Sequence, residues 1–128
     1  LYGETCKVLL RKRYNWIKIA CTFDGYEGWI DPKQLVQITE HDYNKLTKKT
    51  SFVLDTFGQV GNHKHMINIL FGSNLPLYDG MSFTMPLGKL TFTGKATSKD
   101  YVIETEDQMI KLCLKHLHAP YLWGGRSV

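Results

Sequence analysis

Among the side chains here that could act as nucleophiles or bases are three cysteines and five histidines. Cys6, Cys21 and Cys113 show no Cys-x-x-Cys spacing and leave an odd thiol, so neither a zinc site nor a disulfide framework follows from them. Small buried apolar side chains are their plain reading, with a Cys6–Cys21 bridge left open. His63 and His65 would share one face of a strand, but no Asp, Cys or third His joins them at ligand spacing. His116 and His118, two apart on a helix, diverge. The sequence thus implies no metal, no cofactor and no complete nucleophile–base set. Two tyrosines stand out instead: Tyr26 in Gly25-Tyr26-Glu27-Gly28-Trp29-Ile30, and Tyr121 in Pro120-Tyr121-Leu122-Trp123-Gly124-Gly125. A phenol is neutral at pH 7 and can donate and accept hydrogen bonds.

Short strands must carry Tyr26. Residues 6–10, 16–22 and 28–30 read as strands. In the second, Ile17, Ile19 and Cys21 alternate with Trp16, Lys18, Ala20 and Thr22, the period of a half-buried strand. Arg11-Lys12-Arg13-Tyr14-Asn15 reads as the first turn and Phe23-Asp24-Gly25 as the second, with Gly25 where positive φ is needed. Glu4 and Glu27 are nearby acids, and Glu27, which alternates away from Tyr26 on the turn, reads as solvated.

Residues 41–50 are polar and charged and read as a linker with solvated lysines. Residues 51–103 give a second set of strands at 51–54, 65–71, 75–78, 81–85, 89–93 and 101–103, with Gly58, Gly61, Gly72, Gly80, Gly88 and Gly94 at or between their ends.

The period changes at residue 104. Thr105 can cap a helix with Gln108 three residues on, Glu106 and Asp107 occupy its first turn, and Met109, Ile110, Cys113, Leu114 and Leu117 form an apolar stripe. Lys115, His116 and His118 sit at the C-terminal end, Pro120 stops the helix, and Gly124-Gly125 permits a sharp turn.

A hydrophobic content of 43% makes the chain globular, and 128 residues suit two small, mutually supporting barrels with a helical tail. No apolar run reaches membrane-span length. The net charge of +4 suits an anionic polymer, but the basic residues are scattered over turns rather than laid beside aromatics, which argues against nucleic acid.

The Leu1-Tyr2-Gly3-Glu4 start, Trp16-Ile17-Lys18-Ile19 and Gly25-Tyr26-Glu27-Gly28-Trp29-Ile30 together resemble a bacterial SH3-like (SH3b) domain. Phe71-Gly72-Ser73-Asn74-Leu75-Pro76 and Gly88-Lys89-Leu90-Thr91-Phe92-Thr93-Gly94 resemble a second SH3b domain of the dipeptidyl-peptidase VI branch. Tyr121-Leu122-Trp123-Gly124-Gly125 resembles the start of an NlpC/P60 cysteine peptidase domain. The resemblance implies a mainly β fold: an SH3b domain over 1–40, a linker over 41–50, a second SH3b domain over 51–103, and the first helix of an NlpC/P60 domain over 104–128. It implies part of a bacterial γ-D-glutamyl-L-diamino acid endopeptidase acting on peptidoglycan stem peptides. A non-catalytic SH3b cell-wall-binding module is the alternative. Tyr121 would neighbour the nucleophile and help bind the oxyanion, while Tyr26 and Trp123 would bind substrate, Tyr26 at a free N-terminal L-alanine. The nucleophile, in Asp-Cys-Ser-Gly, would follow Tyr121 by roughly a dozen residues, beyond Val128. None of the three cysteines precedes Ser-Gly or opens a helix, so the 128 residues alone should be inactive.

Overall fold

The fold is mainly β, as seen in a computed structural model that describes residues 1–12, 16–86, 88–101 and 103–126. Ten strands and two α-helices occur among the described residues, and every strand pairing is antiparallel.

Strands β1 (Cys6–Arg11), β2 (Ile17–Cys21) and β3 (Glu27–Ile30) form one sheet in that order. The alternation in β2 does what the sequence implies: Ile17 and Ile19 are buried while Trp16 stands half in solvent. Register slips between Val8 and Leu10, a bulge that bends β1 around its partner. Of the expected first turn, Arg13, Tyr14 and Asn15 lie outside the described residues; Lys12 N–H donates to the Trp16 carbonyl, and the Lys12 ammonium lies 4.6 Å from the Trp29 ring centre. Cys6 and Cys21 face each other across the sheet as free thiols.

The expected linker is a helix for most of its length. Helix α1 (Glu40–Lys48) follows a short 3-10 turn at Pro32–Gln34. Thr39 caps it, its Oγ1 accepting from Asp42 N–H at 3.1 Å and donating to the Asp42 carboxylate at 2.8 Å. Only Leu46 is buried on it, so the segment carries a capping signal but almost no apolar stripe. Its lysines are exposed as expected.

The remaining strands make two sheets. β4 (Thr50–Val53) lies between β10 (Ala96–Ser98) and β7 (Asn74–Pro76), and a four-stranded sheet runs β6 (Met66–Leu70), β5 (Phe57–Gly61), β9 (Gly88–Thr91), β8 (Ser82–Met85). Val53, Val60, Ile69, Leu75, Phe83 and Phe92 form one core between them, each 0–1% exposed.

Three strand assignments differ from expectation: β5 and β10, which lie outside the expected strands, and 101–103. The glycines of β5 mark punctuation in the sequence, yet a Cβ on Gly58 would lie 2.8 Å from the Phe92 ring and one on Gly61 2.2 Å from the His65 carbonyl. The glycines let a ring and a neighbouring strand approach closely. Residues 101–103 are not a strand where described, Val102 lying outside the described residues; the last strand is β10.

Helix α2 (Glu106–Leu114) begins as predicted. Thr105 Oγ1 accepts from Gln108 N–H, and the Gln108 side chain reaches back to the Glu104 N–H. The helix ends sooner than the stripe suggested, unwinding through turns to His118, which has φ 68°. Its inward face also differs: Leu112 and His116 are half-buried, whereas Met109, Ile110, Cys113, Leu114 and Leu117 are exposed. The His116 ring packs edge-on against Phe71 at 4.7 Å, and the Lys115 ammonium donates to the Leu54 carbonyl rather than to the helix end. Among the described residues no helix is long and apolar enough to cross a membrane.

Candidate functional site

The site begins with the first four residues. Tyr2 packs edge-on against Phe83, ring centres 6.5 Å apart, and its carbonyl accepts from Asn74 N–H at 2.8 Å. Burial pushes its phenol above the ordinary 10.0. Gly3 follows with φ 74°, and a Cβ there would lie 2.1 Å from the Asn74 carbonyl oxygen. Only glycine fits a left-handed backbone this close to β7. Tyr2 and Gly3 thus join the first sheet to the core of the second β body and fix where Glu4 points.

The Glu4 side chain, 12% exposed, accepts from Arg126 Nη2 at 2.6 Å and Nη1 at 3.2 Å. It also accepts from the Leu1 α-amine at 2.6 Å. Both guanidinium nitrogens engage one carboxylate, the geometry in which Arg–carboxylate pairs are most directional. The Arg126 guanidinium also lies 5.8 Å from the Phe23 ring centre. Hydrogen bonding to Glu4 raises its pKa first, burial opposes this, and the charges of Glu4 and Asp24 add to the rise.

Phe23 belongs to the β2–β3 turn, which is closed by Gly25 N–H to the Cys21 carbonyl and by Tyr26 N–H to Asp24 Oδ1, both at 2.9 Å. Gly25 has φ 71°, as its position implied. The turn projects Tyr26, 70% exposed. The tail reaches the same corner from the other end of the chain: Tyr121 is 82% and Trp123 89% exposed, and Gly125 N–H closes a turn onto the Leu122 carbonyl with Gly124 at φ 69°. Arg126 therefore ties the tyrosine-bearing turn to the tyrosine-bearing tail, although no hydrogen bond joins the two phenols. Ser127 and Val128 lie outside the described residues.

Neither Glu4 nor Arg126 carries a local mark of this pairing. Glu27, expected to be solvated, is half-exposed and pairs with Lys18 at 2.6 Å. Burial, then Cys21 and Glu4, push the Cys6 thiol above its ordinary value, which disfavours the thiolate a nucleophile needs. A groove of about 540 Å³ between the first sheet and α1, lined by Val8, Ile17, Leu35, Val36 and Tyr43 among others, includes none of Glu4, Tyr26, Tyr121 or Arg126.

Residues 1–35, with the Leu-Tyr-Gly-Glu start and the Gly-Tyr-x-Gly-Trp turn, form the SH3-like part of a mainly β fold. Residues 1–35 match the bacterial dipeptidyl-peptidase SH3 domain family. The whole chain is similar to the crystal structure of an NlpC/P60 family protein from Bacillus cereus ATCC 10987, with a TM-score of 0.76 and 24% sequence identity. That similarity covers 99% of this chain and 48% of the other, so the chain spans about half of that protein's length. No curated protein matches the sequence.

Proposed function

We propose that this chain is the specificity-determining part of a bacterial cell-wall hydrolase of the NlpC/P60 kind, a γ-D-glutamyl-L-diamino acid endopeptidase acting on peptidoglycan stem peptides. Residues 1–40 and 51–103 are its two SH3b domains, and residues 104–128 start the peptidase domain. The observation that supports the reading is the Arg126 contact with Glu4 and Phe23, which brings the end of the tail against the β2–β3 turn. The match of residues 1–35 and the likeness in fold to an NlpC/P60 protein support it.

In this reading Tyr26 offers a phenol oxygen to a free N-terminal amine, and Tyr121 offers its hydroxyl proton to the oxyanion formed when a cysteine attacks the peptide carbonyl. Trp123 adds an exposed apolar face for the substrate. In this reading the two phenols only donate and accept hydrogen bonds, and the cysteine nucleophile and its histidine base are separate groups.

Two measurements test this. The source coding sequence is expected to carry Asp-Cys-Ser-Gly roughly a dozen residues after Tyr121; without it, a cell-wall-binding module is the better account. In the enzyme so defined, Tyr26→Ala is expected to raise KM about tenfold for L-Ala-γ-D-Glu-diamino acid peptides with a free amine, the loss of one charge-assisted hydrogen bond, and to leave N-acetylated peptides nearly unchanged. An equal effect on both substrates would remove Tyr26 from amine recognition.

A further inference from the structure

We infer that Glu4 and Arg126 are a positioning pair: they set the Tyr121-Leu122-Trp123 segment against the Phe23–Tyr26 turn and themselves touch no substrate. The role of that corner rests on the function proposed above; the docking of the tail does not.

Residues 117–126 are all exposed, and their own hydrogen bonds up to Gly125 are local turns. Helix α2 is held on the other side of the tail, by Lys115 on Leu54 and His116 on Phe71. Among the described residues the hydrogen bonds between His116 and Arg126 are local turns, so the contact at Arg126 decides where Tyr121 lies. A lone lysine-type contact would tether without orienting, whereas the two-nitrogen fork onto one carboxylate fixes the direction of the guanidinium. The adjacent turn, Gly125 N–H to the Leu122 carbonyl at 2.8 Å, passes that direction back toward Tyr121.

The other end of the pair is rigid. Glu4 follows Gly3, wedged on the Asn74 carbonyl, and Tyr2, wedged on Phe83. The partners are unequally exposed, 40% for Arg126 and 12% for Glu4, so the ion pair adds little to global stability. Its consequence is placement: a half-buried acid on a fixed backbone captures a cation on a mobile-length tail 122 residues away.

The test uses backbone amide NMR on the 128-residue chain, with Glu4→Gln, Arg126→Gln, Arg126→Lys and the exchanged pair Glu4→Arg with Arg126→Glu. Glu4→Gln and Arg126→Gln are expected to give residues 121–125 fast internal motion and severalfold faster hydrogen exchange, and to shift the amides of Phe23 and Gly25, with core amides of Val60 and Ile69 unmoved. Arg126→Lys should restore order only in part, because it keeps charge and loses the fork; the exchanged pair should recover more than either single charge reversal. Arg126→Gln lies on an exposed tail and leaves the barrels folded, so it remains informative if Glu4→Gln does not fold. An unchanged tail in Arg126→Gln overturns the inference. In the catalytic parent the same variants separate the two ideas: a loosened tail with unchanged KM for free-amine peptides keeps the positioning pair and removes the specificity role of this corner.

Discussion

Gly3 and Gly25 have nearly the same backbone, φ 74° and 71°, but different surroundings. A Cβ on Gly25 meets nothing within 4 Å, while one on Gly3 would stand 2.1 Å from the Asn74 carbonyl oxygen. Gly25→Ala should therefore cost only the left-handed backbone, about 1 kcal/mol. Gly3→Ala carries the same cost and must also push the first residues away from β7, because the carbonyl belongs to a strand paired with β4 and cannot retreat. That displacement loses the Asn74 N–H bond to the Tyr2 carbonyl, about 1 kcal/mol, and the edge-on contact of Tyr2 with Phe83, about 1 kcal/mol more. Gly3→Ala is thus expected to destabilise by about 3 kcal/mol, roughly 2 kcal/mol more than Gly25→Ala. Urea unfolding of both variants followed by circular dichroism, at matched slope, measures the difference. Equal midpoints would refute the packing of the Leu1–Glu4 segment onto the second β body, and with it the rigid placement of Glu4.

Phe92, 1% exposed and in van der Waals contact with the Gly58 and Gly94 backbones, should cost about 3–5 kcal/mol as Phe92→Ala, a large share of a small protein's total stability, read by the same unfolding curves; a loss below 1 kcal/mol would mean this core is not the cooperative unit. Asp79 accepts from Ser82 N–H, Ser82 Oγ–H and Met81 N–H, and these hydrogen bonds lower its pKa from 3.8 to about 2. Its folded pKa lies below its unfolded one, so its contribution is complete above about pH 4 and disappears as the pH falls toward about 2. The stability advantage of the wild type over Asp79→Asn should shrink across that window, and an advantage independent of pH would show that the carboxylate charge is not what holds this turn.

Much of the fold follows from short stretches. The alternation through Ile17 and Ile19 places both in the first core, because a strand's side chains switch faces at every residue whatever lies beyond it. Thr105 with Gln108 marks the start of α2, since capping involves only neighbouring backbone N–H groups. Helix α1 escaped because its signal is a Thr39–Asp42 cap on a polar segment with a single buried residue, which composition alone reads as a linker. Strand β5 escaped because Gly58 and Gly61 punctuate local patterns, and their reason for being glycine is a ring and a strand brought in from elsewhere. The apolar stripe on α2 was legible, but not that Leu112 and His116 would be the face turned inward.

By itself the sequence determined the mainly β class, the positions of most strands, the positive φ of Gly25 and the two tyrosine-bearing motifs. All are settled by residues within a few positions of one another. The tertiary structure alone decided that Glu4 meets Arg126, that Tyr2 fills a place against Phe83, and that the Arg126 guanidinium lies over Phe23 of the β2–β3 turn. Those contacts join residues from 81 to 122 positions apart. An ion pair or an aromatic edge has no period to leave along the chain; it depends on where folding brings two distant segments, and a lone acid or arginine carries no mark of the partner it will find.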